Sequence, residues 1–294
     1  MNTGIIFAIL AYFLWGILPI FWKLLKHIPA HEILLHRMVW SFIFVLTILF
    51  FRKNWFWLKK IKENPKLLLT FLLTAFFLST NWFTYIWSMN NNYVVEASLG
   101  YFINPLISVL LGVLVLKERL RLFQWSAILI ALIGVLFLTV RYGSFPWIAM
   151  ILAFTFGFYG LLKKRTKLNS LEGFSLETGF MSIPALFFLS VFELKGIGSF
   201  GHGNIISTFL LFCAGIVTAL PLILFAAAAR RITLTNLGIL QYIAPTLQFL
   251  IGIFIYQEAF PTERLIGFCI IWFALVVYSI EGIVFRLIFN TTKI

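Results

Sequence analysis

Ten apolar runs follow one another along this chain with only short polar breaks between them. They cover residues 4–22, 33–51, 67–88, 94–116, 123–140, 145–162, 174–192, 205–228, 235–256 and 264–286. A helix needs about 20 apolar residues to cross the hydrocarbon core of a bilayer. In that solvent the backbone satisfies its own hydrogen bonds only as a helix or a closed barrel. The chain therefore reads as an all-α polytopic membrane protein with ten transmembrane helices. Its residues are 62% hydrophobic and 11% charged, whereas soluble domains carry roughly 25% charge. The N-terminal MNTG has no cation ahead of the first run, which reads as a retained helix and not a cleaved signal.

The fourth and ninth runs are one helix written twice. GYFINPLISVLLGVLVLKE at 100–118 returns as LQYIAPTLQFLIGIFIYQE at 240–258, matching Ile103 with Ile243, Pro105 with Pro245, Leu110 with Leu250, Gly112 with Gly252 and Glu118 with Glu258. The first copy ends among Lys117, Arg119 and Arg121, the second among Gln257, Ala259 and Pro261. Cations collect on the cytoplasmic side of membrane proteins, so the two copies are expected upside down relative to each other. With the N-terminus inside, the cytoplasmic segments carry Arg52, Lys53, Lys59, Lys60, Lys62, Lys66, Lys117, Arg119, Arg121, Lys163, Lys164, Arg165, Lys167, Arg230, Arg231, Arg286 and Lys293, seventeen of the 23 cations. Lys23, Lys26, Arg141, Lys195 and Arg264 fall outside, with Arg37 slightly inside the second run. Both termini are thus expected in the cytoplasm. Residues 1–142 and 143–294 read as two five-helix repeats; an odd helix count inverts the second, which is a transporter architecture. The net charge of +13 then belongs to loops and needs no nucleic-acid partner, although the 52–66 loop would attract anionic headgroups of the lipid bilayer.

Several chemistries lack their residues. All ten acids are Glu, so a Walker B aspartate is absent, and no GxxxxGK[ST] loop, HExxH or GxSxG occurs. His27, His31, His36 and His202 lie at outer helix ends, and Cys213 and Cys269 read as small apolar core residues without neighbouring ligands. The expectation is no enzyme, no metal and no cofactor.

Polar side chains on spans face the bundle or a wet path. The third run offers Thr74, Asn81, Thr84, Tyr85 and Ser88 on one face, either a substrate stripe or helix-to-helix bonding. In the fourth run Glu96, Gly100, Asn104, Ser108 and Gly112 recur every four residues; the small ones permit close packing. Pro105 and Pro245 each remove a backbone donor and mark a hinge or a plain kink. The eighth run adds Thr218 beside Pro221, the ninth adds Gln241, Tyr242 and Gln248, and Trp15 sits near Gly16 and Pro19 in the first. Arg37, with His36 beside it, either snorkels outward or binds an anionic group of a substrate. Glu96 either caps its own helix or couples protons, and Glu118 and Glu258 anchor helix ends. No carboxylate falls near the middle of a run, which gives little support to proton-driven exchange.

The stretches AYFLWGILPIFWKLL, EILLHRMVWS, NWFTYIWSMNNNYVVEASLGYFINPL, LKERL, TALPLILFAAAARRITLTNLGILQYIAPT and GIFIYQE closely resemble the RarD group of the EamA family, in the drug/metabolite transporter superfamily. The resemblance runs along nearly the whole chain. It implies a permease of the bacterial inner membrane, with ten helices as two inverted repeats and a small-molecule substrate. By that analogy a central cavity is lined by the first, third, fourth, sixth, eighth and ninth spans. It would include Trp15, Asn81, Tyr85, Tyr101, Asn104, Tyr159, Thr218, Gln241 and Gln248. The reading is a secondary transporter, an exporter of a metabolite, amino acid or drug by alternating access, as a monomer or homodimer. The rival readings are a flippase of lipid-linked intermediates and a membrane sensor or scaffold without flux.

Overall fold

The computed structural model describes residues 2–53, 55–91, 93–202, 204–257 and 262–290, and every regular element among them is helical. The helices are α1 (Thr3–Leu24), α2 (Ala30–Arg52), α3 (Phe56–Glu63), α4 (Lys66–Asn90), α5 (Val94–Leu114), α6 (Leu122–Tyr142), α7 (Trp147–Arg165), α8 (Ser170–Leu194), α9 (Ile205–Ala229), α10 (Leu234–Gln241), α11 (Ile243–Phe254) and α12 (Thr262–Asn290). Among the described residues nine spans are long and apolar enough to cross a membrane, α10 and α11 counting together, and α12 holds an apolar stretch over Leu265–Glu281. Glu258 lies outside the described residues.

Two elements depart from the run of ten. The 52–66 segment contains α3, which buries Trp57 while Lys59, Lys60 and Lys62 stay exposed; such a helix suits an interface plane. The ninth run is divided at Tyr242, where Pro245 has no N–H to offer the Gln241 carbonyl. Its counterpart behaves differently: α5 runs unbroken through Pro105. There α10 comes close enough that a side chain on Gly238 would meet the Pro105 carbonyl oxygen at 2.7 Å.

Bonds between helix termini fix an up-and-down order and give the bundle two chemically distinct ends. At the cationic end Glu118 accepts from the N–H groups of Leu234 (2.7 Å) and Thr235 (2.9 Å) and from the Thr235 hydroxyl (2.8 Å). Those are otherwise unpaired donors of the first turn of α10, and a carboxylate is favoured at that positive helix end. Arg121 pairs with Glu281 of α12, Lys164 donates to the Ile232 carbonyl, and Arg230 donates to the Leu168 carbonyl at 2.6 Å. At the opposite end Glu96 accepts from the Ile148 N–H (2.7 Å) and the Tyr142 hydroxyl (2.9 Å). Glu96 thus caps α7, a neighbour, and not its own helix. Glu32 accepts from the N–H and hydroxyl of Ser199 at 2.6 and 2.8 Å, and His27 meets the Ser207 hydroxyl at 2.7 Å.

The side-by-side packing has a regular plan. α1 lies against α9 and α11, and α7 lies against α4 and α5; α2 packs on α8, α6 on α12 and α5 on α10. Exchanging the first five spans with the last five leaves this pattern unchanged. Small residues set the close approaches: a Cβ on Gly100 would touch Leu152 of α7 at 3.0 Å, and one on Gly16 would strike Leu247 of α11 at 2.6 Å. Cys269, expected in the core, is exposed, and Cys213 is half-buried.

A buried ion pair joins α7 to α8. Lys163 Nζ donates to Glu177 Oε1 at 2.7 Å, with both residues at most 1% exposed, and the Tyr159 hydroxyl donates to the other carboxylate oxygen at 3.3 Å. Removing one partner strands a buried charge at a cost of about 3–5 kcal/mol, whereas replacing both by apolar residues is often neutral. In detergent, Glu177→Leu is expected to lower the unfolding midpoint sharply and Lys163→Met/Glu177→Leu to recover most of it. Equal loss in single and double variants would contradict the pairing. Glu118→Ala, which removes a helix cap, should cost about 0.5–2 kcal/mol. The same measurement on Glu63→Ala should change little, because its pair with Lys59 is exposed and worth roughly 0–1 kcal/mol.

Candidate functional site

Spans from both halves of the chain enclose a cavity of about 180 Å³. It begins near mid-bundle, at Tyr12, Leu222 and Gln241, and extends through Trp22 and Tyr85 toward the end away from the cations. Of the residues expected there, Trp15, Asn81, Tyr85, Tyr101, Asn104, Gln241 and Gln248 line the wall, as do Arg37 and Pro245. Tyr101 keeps 37% of its surface exposed although it stands seven residues into α5, because it projects into this space. Arg37 brings in α2, a span outside the six that the family analogy implies.

Three expected residues stand behind the wall, each held by a partner. Tyr159 is fully buried on Glu177; Thr218 accepts a hydrogen bond from Arg37 Nε at 2.9 Å; Tyr242 donates to the Phe102 carbonyl at 3.1 Å. The gating and coupling candidates also separate. His36 points away from Arg37, stacks on Phe200 at 5.0 Å and lies 3.8 Å from Glu32 in an outer recess. Glu96 is occupied as a cap, and Pro105 is packed against α10. In the third run, Thr74 and Ser88 spend their hydroxyls on carbonyls of their own helix.

The cavity's polar groups have capacity to spare. The Asn81 amide donates to the Leu152 carbonyl (2.9 Å) and Thr155 hydroxyl (3.0 Å), which leaves its own oxygen free toward the cavity. The Gln248 amide donates to the Trp15 carbonyl at 3.2 Å, and Asn104 accepts from Ser108 at 3.4 Å. Gln241, only 7% exposed, bonds to no other side chain or backbone group among the described residues. A carboxamide carries two donors and an acceptor, so these residues can serve a polar solute without giving up their structural bonds. The Arg37 guanidinium lies against two rings, Trp22 at 4.7 Å and Trp82 at 4.5 Å. The Tyr85 and Tyr101 hydroxyls face each other beside it, their rings meeting edge-on at 6.0 Å.

Aromatic rings fill the space between the cavity and the cationic end. Trp15 contacts Tyr12 at 5.7 Å, Phe156 at 5.6 Å and Phe225 at 5.7 Å, and Tyr159 stacks on Phe225 at 5.8 Å. Beneath them lies the Lys163 and Glu177 pair. Sequence reading passed over Glu177; the signal available was an acid and a base facing each other across the 166–169 turn. Among the described residues no cluster of His, Cys or Glu is placed to hold a metal ion.

Residues 2–140 match the EamA-like transporter family. "Protein RarD" of Streptomyces exfoliatus is 45% identical over 282 residues, spanning 96% of this chain and 90% of that one. "Uncharacterized transporter YojE" of Bacillus subtilis (strain 168) is 45% identical over 288 residues, spanning 96% and 95%. A solved crystal structure only 17% identical superposes on 95% of this chain and 98% of its own with a TM-score of 0.72, a likeness of fold alone. With relatives this similar over nearly the full length, the chain belongs to the RarD group of the EamA family of membrane transporters, in the drug/metabolite transporter superfamily.

Proposed function

We propose that the protein is a secondary transporter that carries a small organic molecule through this cavity by alternating access of residues 1–142 and 143–294, arranged as inverted repeats. The observation that carries the reading is a mid-bundle cavity with unused polar capacity, backed by rings toward one end only. The exchange pattern of helix packing supports two related halves. So does the bond from Tyr242 to Phe102, the residue at its matching place in the other copy. With cations facing the cytoplasm, this reading puts both termini on the cytoplasmic side of a bacterial inner membrane and turns the cavity outward. In an exporter that is the releasing side. A cavity of about 180 Å³ is smaller than the roughly 300–1,000 Å³ of drug-sized sites, which favours a small solute over a lipid-linked intermediate.

The test is flux in proteoliposomes against a panel of amino acids, metabolites and drugs, with and without a pH gradient. Gln241→Ala is expected to cut flux about tenfold, the loss of roughly one good hydrogen bond, while leaving the unfolding midpoint in place because Gln241 has no bond to lose. Asn81→Ala should cut flux and also lower stability by about 0.5–1.5 kcal/mol, since it removes the bonds to the Leu152 carbonyl and the Thr155 hydroxyl. Wild-type flux in both variants would remove these residues from the site. Lipid scrambling without solute flux would favour the flippase, and no flux of any kind a sensor.

A further inference from the structure

Arg37 is the single charged side chain on the cavity wall among the described residues. It stands seven residues into α2, about 10 Å from the helix start at 1.5 Å per residue. A cation inside the hydrocarbon region is costly, so its surroundings have to compensate. Here they do so incompletely. The rings of Trp22 and Trp82 both pack against the guanidinium, a favourable arrangement for a cation. Thr218 takes the Nε proton. No carboxylate reaches Arg37 among the described residues, and its terminal nitrogens have no hydrogen-bond partner among them.

That vacancy stands out because the buried acids are all engaged. Glu32, Glu96, Glu172 and Glu177 each accept bonds elsewhere. The terminal nitrogens of a guanidinium whose Nε is already bonded present a flat pair of donors, which matches the two oxygens of one carboxylate. The rings of Trp22 and Trp82 pack against that fork, and the Tyr85 and Tyr101 hydroxyls stand beside it.

We propose that the cavity takes a small monocarboxylate. Its carboxylate is held by the Arg37 fork beside Tyr85 and Tyr101, and its uncharged body lies against Trp15 and Phe156. The count of charges selects this class. One cation neutralises one negative charge, whereas a phosphate monoester dianion would bring a second into a site with no second cation, and an unpaired buried charge is costly. The inference rests on the reading of this cavity as the substrate site, and binding can be measured without flux.

The experiment is a tryptophan-fluorescence and thermal-unfolding titration of the full-length protein in detergent, since Trp22 and Trp82 flank the charge. The probes are phenylacetate and isovalerate, their isosteric amides phenylacetamide and isovaleramide, and phenyl phosphate. The acids should bind roughly tenfold to a hundredfold more tightly than the amides, the range of a charge-assisted hydrogen bond. Phenyl phosphate should bind more weakly than phenylacetate. Arg37→Met should abolish the preference for acid over amide, and Arg37→Lys, which keeps the charge and loses the fork, should retain part of it. Should Arg37→Met fail to fold, the acid and amide comparison on the unaltered protein decides alone. Equal affinity for acid and amide, absence of binding by both acids, or tighter binding of phenyl phosphate overturns the proposal. Flux of a monocarboxylate at an unchanged rate through Arg37→Met would leave transport standing and the carboxylate site refuted. Acid binding without flux of any solute would leave the site standing and refute transport.

Discussion

Hydrocarbon offers no hydrogen bonds, so every polar group within this bundle must find its partner in the protein itself. The placement of the acids follows from that constraint. Glu96 and Glu118 are each spent on the first turn of a helix in the other half of the chain, α7 and α10. A carboxylate used this way satisfies donors that would otherwise face an apolar medium and ties two helices end to end. Glu177 meets the same demand by taking Lys163 and Tyr159, which fastens α7 to α8 in the part of the bundle where rings fill the interior.

Where self-satisfaction is incomplete lies the proposed site. Four amides and a guanidinium converge from α2, α4, α5, α10 and α11 on one small space, and each retains donors or acceptors that the protein does not use. Such capacity is expensive in a dry interior, so it belongs where a solute or water completes it. The floor of the same space is apolar and aromatic, built from Tyr12, Trp15, Phe156 and Phe225, whose rings touch one another across three helices. For alternating access that floor is the part that has to part, and Lys163 with Glu177 sits beneath it.

The spans were legible in the sequence because long apolar runs and their cationic breaks are a direct imprint of the bilayer. The amides at Asn81, Asn104, Gln241 and Gln248 were legible for a related reason: a carboxamide in a lipid-embedded helix has to face inward. That rule does not distinguish a wall from the packing behind it. Tyr159, Thr218 and Tyr242 obey it equally well and turn out to be bonded to Glu177, Arg37 and Phe102, partners from other helices. Arg37 was visible as a charge at the wrong depth, but the two tryptophans that hold it come from α1 and α4 and leave no local pattern. Glu96 shows the same limit, since the helix it caps begins 51 residues later, at Trp147. The divided ninth span was signalled by Pro245, yet Pro105 at the matching place leaves α5 continuous.

The central claim, a cavity that opens away from the cationic end and is sealed toward it, is tested most directly by side-specific labelling. In a chain without Cys213 and Cys269, a cysteine at Tyr101 would be exposed to a membrane-impermeant thiol reagent added to one face of sealed vesicles at a time. The account predicts modification from the face opposite the cationic loops and protection of the same position from the cationic face. Modification from the cationic face alone would contradict it.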